Sequence, residues 1–175
     1  MSKFLLAGFG GQGILFSGKL LAKLGMSLGK EVSWLPSYGP EMRGGTANCS
    51  VIIDDEMIGS PLVTSPDVLV AFNLPSLDKF ENKVAKNGLI FIDSSLINKK
   101  CSREDVNAFY VPATELASDN NLSGLANVIM IGKLIKETKL FDYDYVENML
   151  TSSVPKSKPH LAELNKKALS IGYSL

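Results

Sequence analysis

The chain has 175 residues, of which 45% are apolar and 21% charged, with 18 Lys and Arg balanced by 18 Asp and Glu. That length can bury one substantial core, and the charge balance excludes the broad basic field that nucleic-acid binding requires. No apolar stretch approaches the ~20 residues that span a bilayer, and the opening residues lack the layout of a signal peptide. The expectation is therefore one domain, residues 1–175, in the cytoplasm, with neither nucleic acid nor membrane as partner.

Lys3 to Ala7 reads as a short buried strand that runs into Gly8-Phe9-Gly10-Gly11-Gln12-Gly13. Gly13 to Leu28 follows as a helix, with Ile14, Leu15, Leu20, Leu21, Leu24 and Leu28 at a roughly helical period and Gly29 as its stop. Glu31 to Leu35 makes a second strand, and strand–helix–strand in this order predicts a Rossmann-like βαβ unit with a parallel connection. Pro36 to Gly45, with two prolines and three glycines, is a loop. Thr46 to Asp54 is a strand, and "DDEMIGSP" suggests a turn with a short return strand. Asp67 to Phe72 and Leu89 to Asp93 are continuous apolar runs of the buried parallel kind. Between them "NLPSLDKFENKVAKNG" reads as one helix, with Pro75 in its first turn and Gly88 at its end. Asn107 to Ala113 is a further strand, and "ATELASDNN" a helical turn and loop. The apolar "LANVIMIGKLIKET" and the amphipathic "DYDYVENMLTSSV" and "PHLAELNKKALSIGY" are three helices. The alternation predicts an α/β domain of three layers, its sheet mostly parallel with some antiparallel strands around residues 46–60.

Chemistry-bearing residues are few. Cys49 and Cys101 form no CxxC, and an iron–sulfur cluster wants four thiolates. The one histidine, His160, fits the exposed start of a helix. Neither a metal site nor a catalytic triad is expected.

The glycine run can do three things. Its glycines permit positive φ and close approach of a ligand, and the helix start behind it offers free N–H groups to a pyrophosphate. NAD or FAD would also need an acid at the end of the second strand, where this chain has Leu35-Pro36-Ser37-Tyr38. Glu31 lies at the wrong end. Another phosphate, or a tight turn with no ligand, stays open. Gln12 either bonds a ligand or partner chain, or faces water. "SYGPEMRGG" is the second unusual stretch. It sets Arg43, a planar permanent cation suited to phosphate or carboxylate, two residues from Glu41 on a loop due at the same sheet edge. The alternative is an Arg43–Glu41 surface pair of little energetic weight.

Taken together, "GFGGQGILFSGKLLAKLG" and "SYGPEMRGGTANCSVII" resemble the gamma subunit of 2-oxoacid:ferredoxin (acceptor) oxidoreductases. The likeness continues through "SPDVLVAFN", "GLIFIDSS", "VPATELA" and "LANVIMIGKL". It implies a subunit of a complex that oxidatively decarboxylates a 2-oxoacid with coenzyme A, giving an acyl-CoA, carbon dioxide and reduced ferredoxin. The length matches a stand-alone gamma subunit. It further implies alpha, beta and, in some complexes, delta partners that hold thiamine diphosphate and the iron–sulfur clusters, so that this chain holds no cofactor alone, contributes no catalytic residue, and is inactive by itself. Gly8, Gly10, Gly11, Gln12, Gly13, Arg43, Gly44 and Gly45 are the candidate contacts to coenzyme A, a shared substrate. Tyr38, Pro40, Glu41 and Met42 are candidate interface or loop-fixing residues. Docking of alpha and beta chains by the same two loops is the competing reading. The resemblance favours 2-oxoglutarate or a branched-chain 2-oxoacid such as 2-oxoisovalerate, with pyruvate and a free-standing nucleotide-binding oxidoreductase as alternatives. Whether the isolated chain forms a homodimer stays open.

Overall fold

The computed structural model describes residues 1–37, 46–155 and 157–175. One six-stranded sheet is built from β1 (Ser2–Phe9), β2 (Glu31–Ser37), β3 (Thr46–Asp54), β4 (Val68–Ala71), β5 (Leu89–Asp93) and β6 (Asn107–Val111), in the order β2-β3-β1-β4-β5-β6. β1, β4, β5 and β6 are parallel neighbours, whereas β3 runs antiparallel to both β1 and β2. The helices are α1 (Ile14–Ser27), α2 (Leu74–Phe80), α3 (Ala113–Asp119), α4 (Ala126–Thr138), α5 (Tyr143–Ser152) and α6 (His160–Ser174). None among the described residues is long and apolar enough to cross a membrane.

Side chains alternate across a strand, so β1 feeds two cores at once. Phe4 and Leu6 enter the larger core with α1, α4, α5 and α6, while Leu5 and Ala7 enter a smaller one with Leu77 and Phe80 of α2. The expected three layers follow, and with both faces covered the parallel strands read as unbroken apolar runs. α4 is buried along Val128–Ile131 and at Leu134 and Ile135. α6 lies against it so closely that a Cβ on Gly172 would come within 2.7 Å of the Ile129 carbonyl carbon.

Three expectations need correction. β1 and β2 do point the same way, but β3 is inserted between them, so the βαβ unit is not a directly paired one. No return strand follows Asp54: residues 55–67 carry bends without strand. The physical reason is that β3 already has β1 on one edge and β2 on the other, so a segment returning from it has no free edge of β3 to pair with. The helix expected over residues 73–88 stops at Phe80, with one 3₁₀ turn at Glu81–Lys83. There the chain's bonding groups are claimed from outside. Arg103 Nη1 donates to the carbonyls of Glu81 (3.2 Å) and Val84, and the Ala85 N–H donates to Pro66 O at 2.9 Å. The Glu81 carboxylate is itself buried and accepts from the Ser102 N–H and hydroxyl. Burial works to raise its pKa, but the Ser102 amide, the other donors and Lys99 outweigh it and hold it below the ordinary value.

Candidate functional site

The carboxyl ends of β1, β4, β5 and β6 share one edge of the sheet, the edge where ligands bind in open α/β sheets. β1 turns there through Gly10–Gly13 into α1. Gln12 organises the turn. Its Oε1 accepts the Phe9 N–H at 2.6 Å, its Nε2 donates to the Phe72 carbonyl at 3.1 Å, and its own N–H donates to Phe9 O at 3.3 Å. Both ends of the carboxamide are thus spent on protein, and the loop is tied to the end of β4. Gly8 makes room for it, since a Cβ there would lie 2.6 Å from Gln12 Oε1 and 2.9 Å from Phe72 Cβ. Gly10 and Gly11 are exposed.

Helix starts leave N–H groups without intrahelical partners, and four helices begin near this edge. Two are satisfied by side chains. Asn73 Oδ1 accepts the Ser76 N–H of α2 at 2.8 Å. Asp93, fully buried at the end of β5, accepts from the Thr114 N–H (3.4 Å) and hydroxyl (2.5 Å) of α3 and from the Ser95 N–H (3.1 Å). The other two are bare. α1 begins at Gly13 (φ 76°) and α4 at Leu125, each without a side-chain cap among the described residues and without an acidic residue in its first turn. A cavity of about 60 Å³ lies beside both, lined by Gly11, Gln12, Phe72, Thr114, Gly124 and Ala126. Bare helix starts present N–H groups and a partial positive charge, which is what an anionic group requires.

One residue of this arrangement is absent from the sequence reading. Asn127, in the first turn of α4 and 4% exposed, donates through Nδ2 to Gly13 O (3.4 Å) and Ser17 Oγ (3.3 Å). Its signal in the sequence is slight: one amide in the otherwise apolar "LANVIMIGKL".

The second stretch, with Tyr38, Pro40, Glu41, Met42, Arg43, Gly44 and Gly45, lies outside the described residues. Its flanks are placed: Ser37 pairs with Asn48, and Thr46 pairs with Phe9 beside the glycine loop. The carboxyl end of β2 is two strands from that of β1, roughly 10 Å at ordinary strand spacing, so an acid there would stand off a nucleotide on the glycine loop. Cys49 is buried on β3, where burial pushes its thiol up to about 11 against smaller opposing contributions from Trp34 and the Gly18 backbone, and its Sγ donates to Ile14 O at 3.5 Å. The Cys101 thiol is also raised, first by burial and then by the Glu81 carboxylate. His160 is exposed at the start of α6.

Comparison with known proteins places this geometry in context. A family model described as pyruvate ferredoxin/flavodoxin oxidoreductase matches residues 3–175. The chain is 35% identical over 173 residues to the 2-oxoglutarate synthase subunit KorC of Methanocaldococcus jannaschii, covering 97% of this chain and 91% of that one. It is 45% identical over 130 residues to the ketoisovalerate oxidoreductase subunit VorA of Methanothermobacter marburgensis, covering 74% of this chain but spanning only 27% of that relative's length. Among solved structures, the gamma subunit of a keto/oxoacid ferredoxin oxidoreductase from Geobacter sulfurreducens superposes with a TM-score of 0.83 at 27% identity, over 99% of this chain and 97% of that one.

Proposed function

Because the chain belongs to the pyruvate ferredoxin/flavodoxin oxidoreductase family, we propose that it is the gamma subunit of a multi-subunit 2-oxoacid:ferredoxin oxidoreductase. The observation that carries this reading is the two-way, nearly full-length match to KorC. In that complex a 2-oxoacid loses carbon dioxide, its acyl group passes to coenzyme A, and the electrons released pass to ferredoxin. Thiamine diphosphate and the iron–sulfur clusters belong to the alpha, beta and delta partners. This chain, one domain of the cytoplasm, supplies position rather than redox chemistry, and is inactive alone.

Its part is to hold coenzyme A and its partner chains at the glycine-loop edge. The bare starts of α1 and α4 support an anionic group beside Gly8, Gly10, Gly11, Gln12 and Gly13. Arg43, with Gly44 and Gly45, supplies a cation to that group, and Tyr38, Pro40, Glu41 and Met42 meet the partner chains. The substrate is 2-oxoglutarate, in line with KorC, and the VorA relative favours 2-oxoisovalerate as the second reading.

The native complex, with its subunits identified by mass spectrometry, is assayed with 2-oxoglutarate, 2-oxoisovalerate and pyruvate in the presence of coenzyme A and ferredoxin. The highest kcat/KM is expected for 2-oxoglutarate. Arg43→Ala is expected to raise the KM for coenzyme A. An unchanged KM with weakened subunit assembly would assign the loops to docking instead.

A further inference from the structure

Asn127 presents a physical puzzle. It sits among Val128, Ile129, Met130 and Ile131 in the apolar helix α4, and among the described residues its Oδ1 has no hydrogen-bond partner. A buried acceptor left unpaired lowers stability, so packing alone does not account for an amide at this position. What the amide does achieve is a link across 114 residues: Nδ2 reaches both the carbonyl of Gly13, the residue on which α1 begins, and the hydroxyl of buried Ser17 one turn further on. Gly13 is shaped to receive it. With φ at 76° and no Cβ, it lets the Asn127 carboxamide carbon approach to 2.7 Å from where a Cβ would stand.

We infer that Asn127 is a positioning residue that fixes the bare starts of α1 and α4 side by side, so that both direct their N–H groups at one anionic group of coenzyme A in the cavity between Gly11 and Ala126. Two observations meet in this assignment. The two helix starts are those near the edge that no side chain caps, and the buried amide that joins them bonds to both ends of α1's first turn. Were either helix to slide, the cavity would lose one of its two positive poles. The inference rests on the reading that the glycine loop receives coenzyme A, and it adds a residue that touches no ligand.

Asn127→Leu keeps the branched shape and removes both donor and acceptor. In the reconstituted complex its KM for coenzyme A is expected to rise about tenfold, the size of one lost hydrogen bond to a charged group. The fall in kcat should be smaller than that, and the KM for the 2-oxoacid should not move. The melting temperature of the chain should fall modestly, by the loss of the two Nδ2 bonds less the relief of the unpaired acceptor. A purely structural role would give the lower melting temperature with the coenzyme A KM unmoved, and that result overturns the inference. Should N127L not assemble, N127D is read in its place. It keeps the shape and removes the Nδ2 donor that joins the two helix starts, so its coenzyme A KM should rise as well; an unmoved KM again overturns the inference. Arg43→Ala is measured in parallel. A KM effect there without one at Asn127 defeats the inference alone, whereas no effect at either defeats the coenzyme A reading with it.

Discussion

Gly13→Ala tests the construction of the loop most directly, with Gly11→Ala as its internal control. Both glycines have positive φ, 76° and 95°, so alanine at either suffers the left-handed strain of roughly 1–2 kcal/mol, partly offset by a loss of unfolded-state entropy common to both. Their surroundings separate them. A Cβ at Gly11 meets nothing within 4 Å, whereas one at Gly13 stands 2.7 Å from Asn127 Cγ and 3.2 Å from its Cβ. To regain a 3.4 Å contact Cγ must retreat by about 0.7 Å (3.4 less 2.7), and Nδ2, which stands nearer still, by more. Its bonds to Gly13 O and Ser17 Oγ are already 3.4 and 3.3 Å long, so both are lost. At about 1 kcal/mol each, that puts Gly13→Ala near 3 kcal/mol against about 1 for Gly11→Ala. In urea unfolding of the purified chain the 2 kcal/mol difference becomes a midpoint roughly 1 M lower, for an m-value of about 2 kcal/mol/M. Asn127→Ala should relieve the clash, so the double variant should cost less than the sum of the singles by about 1–2 kcal/mol. Equal costs for the two alanines, or strict additivity with Asn127→Ala, would refute the reasoning.

Two further perturbations address the core. Gly172→Ala would drive a Cβ onto the Ile129 carbonyl and force α4 and α6 apart. Overpacking of about 3 kcal/mol, less about 1 for helix propensity, should lower the melting temperature by roughly 4–8 °C; an unchanged value would mean the two helices spread at no cost. The Cys49 thiol, raised from 9.0 to about 11, should stay protonated and resist a disulfide reagent at pH 8 until the chain unfolds. Its folded pKa lies above its unfolded one, so its contribution to stability is full below pH 9.0 and is lost as pH rises through 11. Cys49→Ala should remove that part of the alkaline loss, and rapid labelling of the native protein at pH 8 would contradict the burial argument.

The strands were legible because a strand covered on both faces must be apolar along its length: residues 67–72 and 89–93 announce themselves, and β5 falls where the apolar run does. Helix α4 was legible as apolar, but not the purpose of its one amide. The glycine loop could be located from Gly8 to Gly13, yet Gln12 could not be assigned between ligand, partner and water. Its partner is the carbonyl of Phe72, 60 residues away, and nothing local encodes that. The overlong reading of α2 has the same origin, since Arg103, 22 residues beyond Glu81, takes the carbonyl there.

What the sequence determined by itself, then, is what local chemistry governs: apolar period, turn residues, the two glycine-bearing stretches and the family they resemble. Where strands sit in the sheet was decided only in three dimensions. β3 pairs with β1 residue by residue from Ser2↔Ile53 to Phe9↔Thr46, and so separates β1 from β2. Backbone pairing is blind to side-chain identity, and two strands with the right alternation can accept any neighbour that completes their hydrogen bonds and covers their faces. The same holds for the site. Bare helix starts, the cavity between them and the amide that joins them come from segments over 100 residues apart, which only the closed core brings together.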